Sequence, residues 1–167
     1  MFDRWVREHR AIVVKVARAY GVTEGETCEI EQEMMVQLWD STEGFRGGAK
    51  ESTWIYRVCL NTALMWRRGK ARREGRTDAE TDVSALTAER CSPADDAGKT
   101  DLLEKLYDAI HSLPDFDRAL VLLMLDGLAY REIAEVTGLK ENHVGVALTR
   151  ARKRLAERMK GFLDELE

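Results

Sequence analysis

The chain has 167 residues, 44% hydrophobic and 34% charged, so it can form one domain or two small ones, each with a modest core. Its formal charge of -4 argues against a nonspecific nucleic-acid coat, and no apolar run approaches the roughly 20 residues of a membrane span. Arg4, Glu8 and Arg10 interrupt the apolar residues of the N-terminus, which lacks a signal-peptide core, so a cytoplasmic protein is expected.

Only two prolines occur and turn-linked strand patterns are missing, so an all-α protein is expected. Cys28, Cys59 and Cys91 show no CxxC spacing and no histidine at ligand distance, and they read as buried or incidental thiols. No nucleophile and base pairing, Gly-rich phosphate loop or HExxH helix is present, so neither an enzyme nor a metal or cofactor site is expected. Charge is uneven: residues 1–73 carry net +3, residues 74–101 net -5 and residues 102–167 net -2.

The first helix is expected over about Phe2 to Tyr20, with Trp5, Ile12, Val13, Val16 and Tyr20 on one side and Gly21 ending it. The second, about Glu26 to Asp40, spaces Ile30, Met34 and Leu38 four apart and leaves Glu29, Gln32, Glu33 and Gln37 on other faces. The third is expected from Ser52 or Thr53 to about Arg68, burying Trp54, Ile55 and Val58 together with Cys59, Thr62 and Met65; Tyr56 is open between core and stacking. Its end carries Arg67, Arg68, Lys70, Arg72 and Arg73. Five cations in seven residues exceed what a helix dipole requires, and their mutual repulsion calls for an anionic partner, for which a phosphate backbone is the expected choice.

From Glu74 the apolar periodicity is lost in favour of Thr, Asp, Glu, Ala, Ser and Gly, which reads as a flexible acidic linker over 74–100 with a short helical turn near Val83 to Leu86. The segment from Leu113 to Leu155 then reads as a helix, a tight turn at Asp126 and Gly127, a short helix with Ile133 and Ala134 inward, a turn at Gly138, and a longer helix. On that last helix Val144, Leu148, Ala151 and Leu155 form one stripe. This is a helix-turn-helix plan, which would place the second helix where it can enter a DNA major groove; by pattern alone, ordinary core packing of a helical hairpin is the equal alternative.

Three stretches carry a family resemblance: EIEQEMMVQLW at Glu29–Trp39, FRGGAKESTWIYRVCLN at Phe45–Asn61, and GLAYREIAEVTGL at Gly127–Leu139 followed by TRARKRL at Thr149–Leu155. In their order and spacing they resemble an extracytoplasmic-function (ECF) RNA polymerase sigma factor of the sigma-70 family, over almost the whole chain. The resemblance implies two small helical domains, region 2 over 1–73 and region 4 over 101–167, joined by the linker. It also implies binding to core RNA polymerase and promoter DNA, recognition and melting of the −10 element, and no catalysis. Glu29, Gln32 and Glu33 would meet the coiled coil of the polymerase's largest subunit, and region 4 its flap.

A melted base needs an apolar wall and hydrogen-bonding groups for its edge. Phe45, the backbone of Arg46, Gly47, Gly48 and Ala49, and Asn61 are suited to supply them, and by resemblance Phe45 and Asn61 line the flipped-base pocket. Arg57, Arg67, Arg68 and Lys70 would hold phosphates. Taken without the resemblance, Phe45 reads instead as an aromatic plugging a small core.

The chain departs from the family where DNA reading is strongest. At the positions where a Lys or Arg, a Ser and an Arg are usual, it has Gly145, Val146 and Ala147, none able to make bidentate base contacts. Lys140 stands where a cap is favoured, with Asn142 available to cap a later start. Asn142, His143, Thr149, Arg150 and Lys153 remain as contact candidates, while Arg152 and Arg154 are expected to face away from DNA. Weak, backbone-dominated binding is therefore expected. Promoter choice would fall to the −10 pocket or to a DNA-bound recruiting protein, and an anti-sigma factor is a further expected partner. The alternatives are an autonomous helix-turn-helix regulator, which leaves Phe45 and Asn61 unexplained, and a sigma-like interaction scaffold.

Overall fold

The computed structural model describes residues 1–75 and 97–164, and every regular element among them is helical. Helices α1 (Phe2–Tyr20), α2 (Glu24–Ser41) and α3 (Glu51–Glu74) pack together as one unit. Helices α4 (Ala97–His111), α5 (Asp115–Leu125), α6 (Tyr130–Thr137) and α7 (Glu141–Asp164) form the second. None of these helices is long and apolar enough to cross a membrane.

The apolar periodicities account for the burial. Trp5, Ile12, Val13, Val16 and Tyr20 are buried along α1, and Ile30, Met34 and Leu38 along α2. Helix α2 starts at Glu24, two residues before the expected Glu26, because Thr23 caps it, accepting the Glu26 N–H at 3.2 Å while the Glu26 carboxylate accepts the Val22 N–H at 2.8 Å. Arg4 and His9 of α1 both approach Glu51 in the first turn of α3.

Two expectations for α3 need correction. The helix does not stop near Arg68 but continues to Glu74, so the basic run is helical throughout. Its buried set is Thr53, Ile55, Tyr56, Cys59, Leu60, Thr62 and Ala63, whereas Trp54 and Val58 are half-buried and Met65 is 69% exposed. The core stripe is rotated toward Tyr56 because that ring packs against the second unit, which a single-helix periodicity does not register. Cys59 behaves as an inert core thiol, burial pushing its pKa up to about 12. Cys28 is also buried but, contrary to the expected thiol, is disulfide-bonded, while Cys91 lies outside the described residues, as does the turn expected at Val83 to Leu86.

In the second unit the two expected turns contain Gly127 (φ 72°) and Gly138 (φ 77°), both in the left-handed region that other residues adopt only at a cost. Ile133 and Val136 on α6 and Val144, Leu148, Ala151 and Leu155 on α7 are buried, while Ala134 is only half-buried. Helix α7 begins at Glu141, so Asn142 lies in its first turn and does not cap a later start.

The two units are not separate in space; a single buried apolar cluster runs through both. Tyr20 donates its hydroxyl to the Asp115 carbonyl at 2.7 Å, and the His111 ring nitrogen Nε2 lies 2.7 Å from the Arg18 carbonyl. Arg118, only 4% exposed, donates to the carbonyls of Leu113 (3.0 Å), Ala19 (3.4 Å) and His111. One guanidinium thus satisfies the chain ends of α1 and α4 together, although losing water weakens its hold on its proton.

Candidate nucleic-acid interface

On α2, Glu29, Gln32, Glu33, Val36, Gln37 and Asp40 recur at three- and four-residue intervals and are all exposed, which makes them one outward face. Trp39, 61% exposed, adjoins this face, its ring edge-on to Phe2 with centroids 5.2 Å apart. Large exposed apolar groups beside carboxylates are a feature of protein-binding surfaces.

Between α2 and α3 runs a groove of about 670 Å³ lined by Glu29, Glu33, Gln37, Asp40, Asn61, Met65, Trp66 and Arg73, among others. Asn61 therefore shares a groove with the acidic residues of α2, an arrangement not visible in the sequence. Its amide is exposed.

Phe45 follows a 3-10 turn (Thr42–Gly44) and is half-buried. Its ring stands edge-on to Trp5 (5.4 Å) and to Trp54 (5.7 Å), contacts worth about 0.5–1.5 kcal/mol each. The core-plug reading and the pocket-wall reading are thus compatible: one side of the ring fills the aromatic cluster and the rest stays accessible. Trp54 is only half-buried and donates to the Ser41 hydroxyl at 3.4 Å, which links this cluster to the groove. Arg46, Gly47 and Gly48 form an exposed loop, with Gly47 at φ 74°.

The basic end of α3 finds some anionic partners inside the chain, which the sequence does not reveal. Arg67 pairs with Asp115 at 3.3 Å, and Lys70 pairs with Glu26 and, at 3.5 Å, with Glu74. These carboxylates raise the Lys70 pKa, and the ammonium lies 5.8 Å from the Trp66 ring centroid. Arg57 and Arg68 point to solvent.

On the helix-turn-helix, Asn142, His143, Val146, Thr149, Arg150 and Lys153 are all exposed. Arg154 is held by the buried Asp117, and the Arg152 Nε lies 3.4 Å from the Met124 sulfur, so both serve the domain. Glu132 in the first turn of α6 accepts the Ala129 N–H at 2.8 Å and pairs with Lys50 at 2.6 Å, beside the Arg46–Gly48 loop. Those two donors hold its carboxylate below the usual range.

One functional candidate escaped the sequence. Asp126, legible only as a turn residue, accepts from Lys15 of α1 at 2.5 and 2.7 Å and from the Tyr56 hydroxyl of α3. It ties the turn that leads into the helix-turn-helix to the first unit. No local signal marks it, because its partners lie 111 and 70 residues away.

The described fold agrees with what the chain is similar to. The family model for sigma-70 region 2 matches residues 5–73, and that for sigma-70 region 4 matches residues 103–155. A Haemophilus influenzae ECF RNA polymerase sigma-E factor is 30% identical over 149 residues, covering 85% of this chain and 79% of the relative. The Escherichia coli protein of the same name is 28% identical, covering 97% of this chain and 88% of its own. Among solved structures, the sigma factor RpoE bound to the anti-sigma factor NepR from Bartonella quintana has a TM-score of 0.69 at 18% identity, covering 95% of this chain and 98% of that one. CnrH in complex with the cytosolic domain of CnrY has a TM-score of 0.63 at 21% identity, covering 96% and 88%. With both sigma-70 regions present in order, and a relative at this identity matched over most of both lengths, the chain belongs to the ECF RNA polymerase sigma factors, which direct promoter-specific transcription.

Proposed function

We propose that residues 1–73 hold core RNA polymerase through the outward face of α2 and present Phe45 and Asn61 to the melted −10 strand. Residues 101–167 engage the upstream duplex mainly through its phosphates, and the chain performs no catalysis, acting in the cytoplasm where its polymerase works. The observation that carries this reading is the shared groove, in which Glu29 and Glu33 stand beside Asn61. A single docking event there anchors the polymerase and aims the base-reading amide. Run-off transcription with core polymerase on a randomised promoter library tests it: initiation downstream of a common −10-like sequence is the expected result, and no initiation despite core binding would count against it. Glu33→Lys is expected to weaken core binding about tenfold or more in a titration, because it places a cation where acceptors meet a basic partner. Among the described residues its carboxylate bonds only to the Gln37 amide, at 3.1 Å, so the melting temperature is expected to hold.

Promoter binding requires the two units to part. Elements at −10 and −35 lie about 85 Å apart at 3.4 Å per base pair, whereas a compact fold of this length has a radius of gyration of about 15 Å. The Asp126 contacts hold the closed arrangement. Asp126→Asn removes the charged acceptor of the Tyr56 hydroxyl, worth about 1.5–3 kcal/mol, and a partly exposed pair with Lys15, worth about 1 kcal/mol or less. The expected outcome is a larger radius of gyration in small-angle scattering and tighter core binding; an unchanged radius would argue against the latch. A protein that clasps both units would act in the opposite sense, and by analogy with the anti-sigma complexes of RpoE and CnrH, we propose such a restraining partner here.

A further inference from the structure

A cavity of about 720 Å³ opens where the turn between α4 and α5 meets the second half of α7, lined by His111, Pro114, Arg118, Arg154, Glu157 and Arg158 among others. None of the residues assigned above to polymerase or DNA lines it. Its walls carry three guanidinium groups and one carboxylate.

The charges around it do not cancel. Arg154 pairs with Asp117, while Arg118 has only a share of Asp115, 3.8 Å away, which also holds Arg67 at 3.3 Å. Arg158 and Glu157 are exposed, and neither is engaged in an ion pair among the described residues. Four guanidinium groups therefore stand against three carboxylates. Burial and the repulsion of Arg67 weaken the hold of Arg118 on its proton by more than Asp115 restores it, so this corner still favours a negative charge. Helix α5 starts at the same wall, with Pro114 as its N-cap and no side chain capping its first N–H groups.

We propose that this cavity is a binding site for a small phosphorylated anion of nucleotide size, held by Arg118, Arg154 and Arg158. Guanidinium forks match the paired oxygens of a phosphate, and Arg154 and Arg158, one helical turn apart on α7, present theirs from one face. The volume lies within the range of about 300–1,000 Å³ usual for small-molecule sites and has room for more than one phosphate group. The site goes beyond the promoter reading above and does not depend on it. Because Arg118 also holds the Ala19 carbonyl of α1, an occupant stiffens the junction at which the two units meet.

The test is titration calorimetry and thermal unfolding of the full-length chain with sodium pyrophosphate and, separately, ATP, at an ionic strength held constant with chloride. At a hundredfold excess over Kd, either probe is expected to raise the melting temperature by about 5–10 degrees. Arg158→Ala is expected to bind both about tenfold more weakly, and Glu157→Gln, which removes the one carboxylate of the wall, about threefold more tightly. Both side chains are exposed, so the melting temperatures without probe are expected to hold. Lys160→Ala removes an exposed cation of α7 outside the cavity and is expected to bind like the parent. Equal affinity for the two probes assigns the site to phosphate groups alone, and tighter ATP binding assigns it to a nucleotide; either bears the proposal out. The proposal is overturned if neither probe binds at about 10 mM or if Arg158→Ala binds like the parent. It is equally overturned if Lys160→Ala loses as much affinity as Arg158→Ala, which would mark diffuse surface attraction. Weaker duplex DNA binding by Arg158→Ala, with neither small anion bound, would make the cavity part of the nucleic-acid surface instead.

Discussion

Arg118→Met is expected to lower the stability of the chain by about 3–5 kcal/mol, read from urea or thermal unfolding. The side chain is 5% exposed, and its guanidinium donates to the carbonyls of His111, Leu113 and Ala19, with Asp115 at 3.8 Å. Methionine preserves much of the volume, so packing loss is small and the effect isolates the donors. Three carbonyls lose their partner where water is excluded, at the junction of α1, α4 and α5. Arg118→Lys is expected to recover only part of the loss, because a single ammonium cannot spread over acceptors placed for a planar fork. A loss below about 1 kcal/mol for the methionine variant would mean that water or backbone movement satisfies these carbonyls.

Asn61→Ala is expected to reduce initiation about 10- to 100-fold, corresponding to the loss of one specific base contact of about 1–3 kcal/mol. Core binding and melting temperature are expected to stay at parental values, since the amide is exposed and lies outside the buried core of α3. Permanganate footprinting of the −10 region provides the direct readout: reduced reactivity with normal core binding assigns the defect to strand capture. Parental initiation by Asn61→Ala would remove the residue from the base pocket. Phe45→Ala is a poorer probe, because its ring also packs on Trp5 and Trp54 and the variant would disturb the fold.

Much of this molecule is legible in its sequence because the information is local. The apolar intervals of α1 and α2, the glycine turns at 127 and 138 and the four-residue α7 stripe are all short-range signals, and each corresponds to an observed element. The face carrying Glu29, Gln32 and Glu33 follows from the same helical arithmetic.

What the sequence leaves incomplete has one origin, which is that partners distant in sequence add to what a residue does. The cations of α3 suggested phosphate because charge repulsion is visible locally, while the carboxylates of Asp115 and Glu26 that answer Arg67 and Lys70 lie 48 and 44 residues away. Tyr56 is open between core and stacking in the sequence, and the structure buries its ring and bonds its hydroxyl to Asp126 across the two units.

The sequence by itself determined the helical class, the order of the two sigma regions and the outward faces of α2 and α7, because periodicity, turn chemistry and motif spacing act over a few residues. Only the tertiary structure decided which charges are already paired, that Asn61 shares a groove with the acidic face of α2, and that the two units close on each other through Asp126 and Arg118. Those outcomes depend on groups brought together across up to 111 residues of chain, where distance and desolvation set the energies.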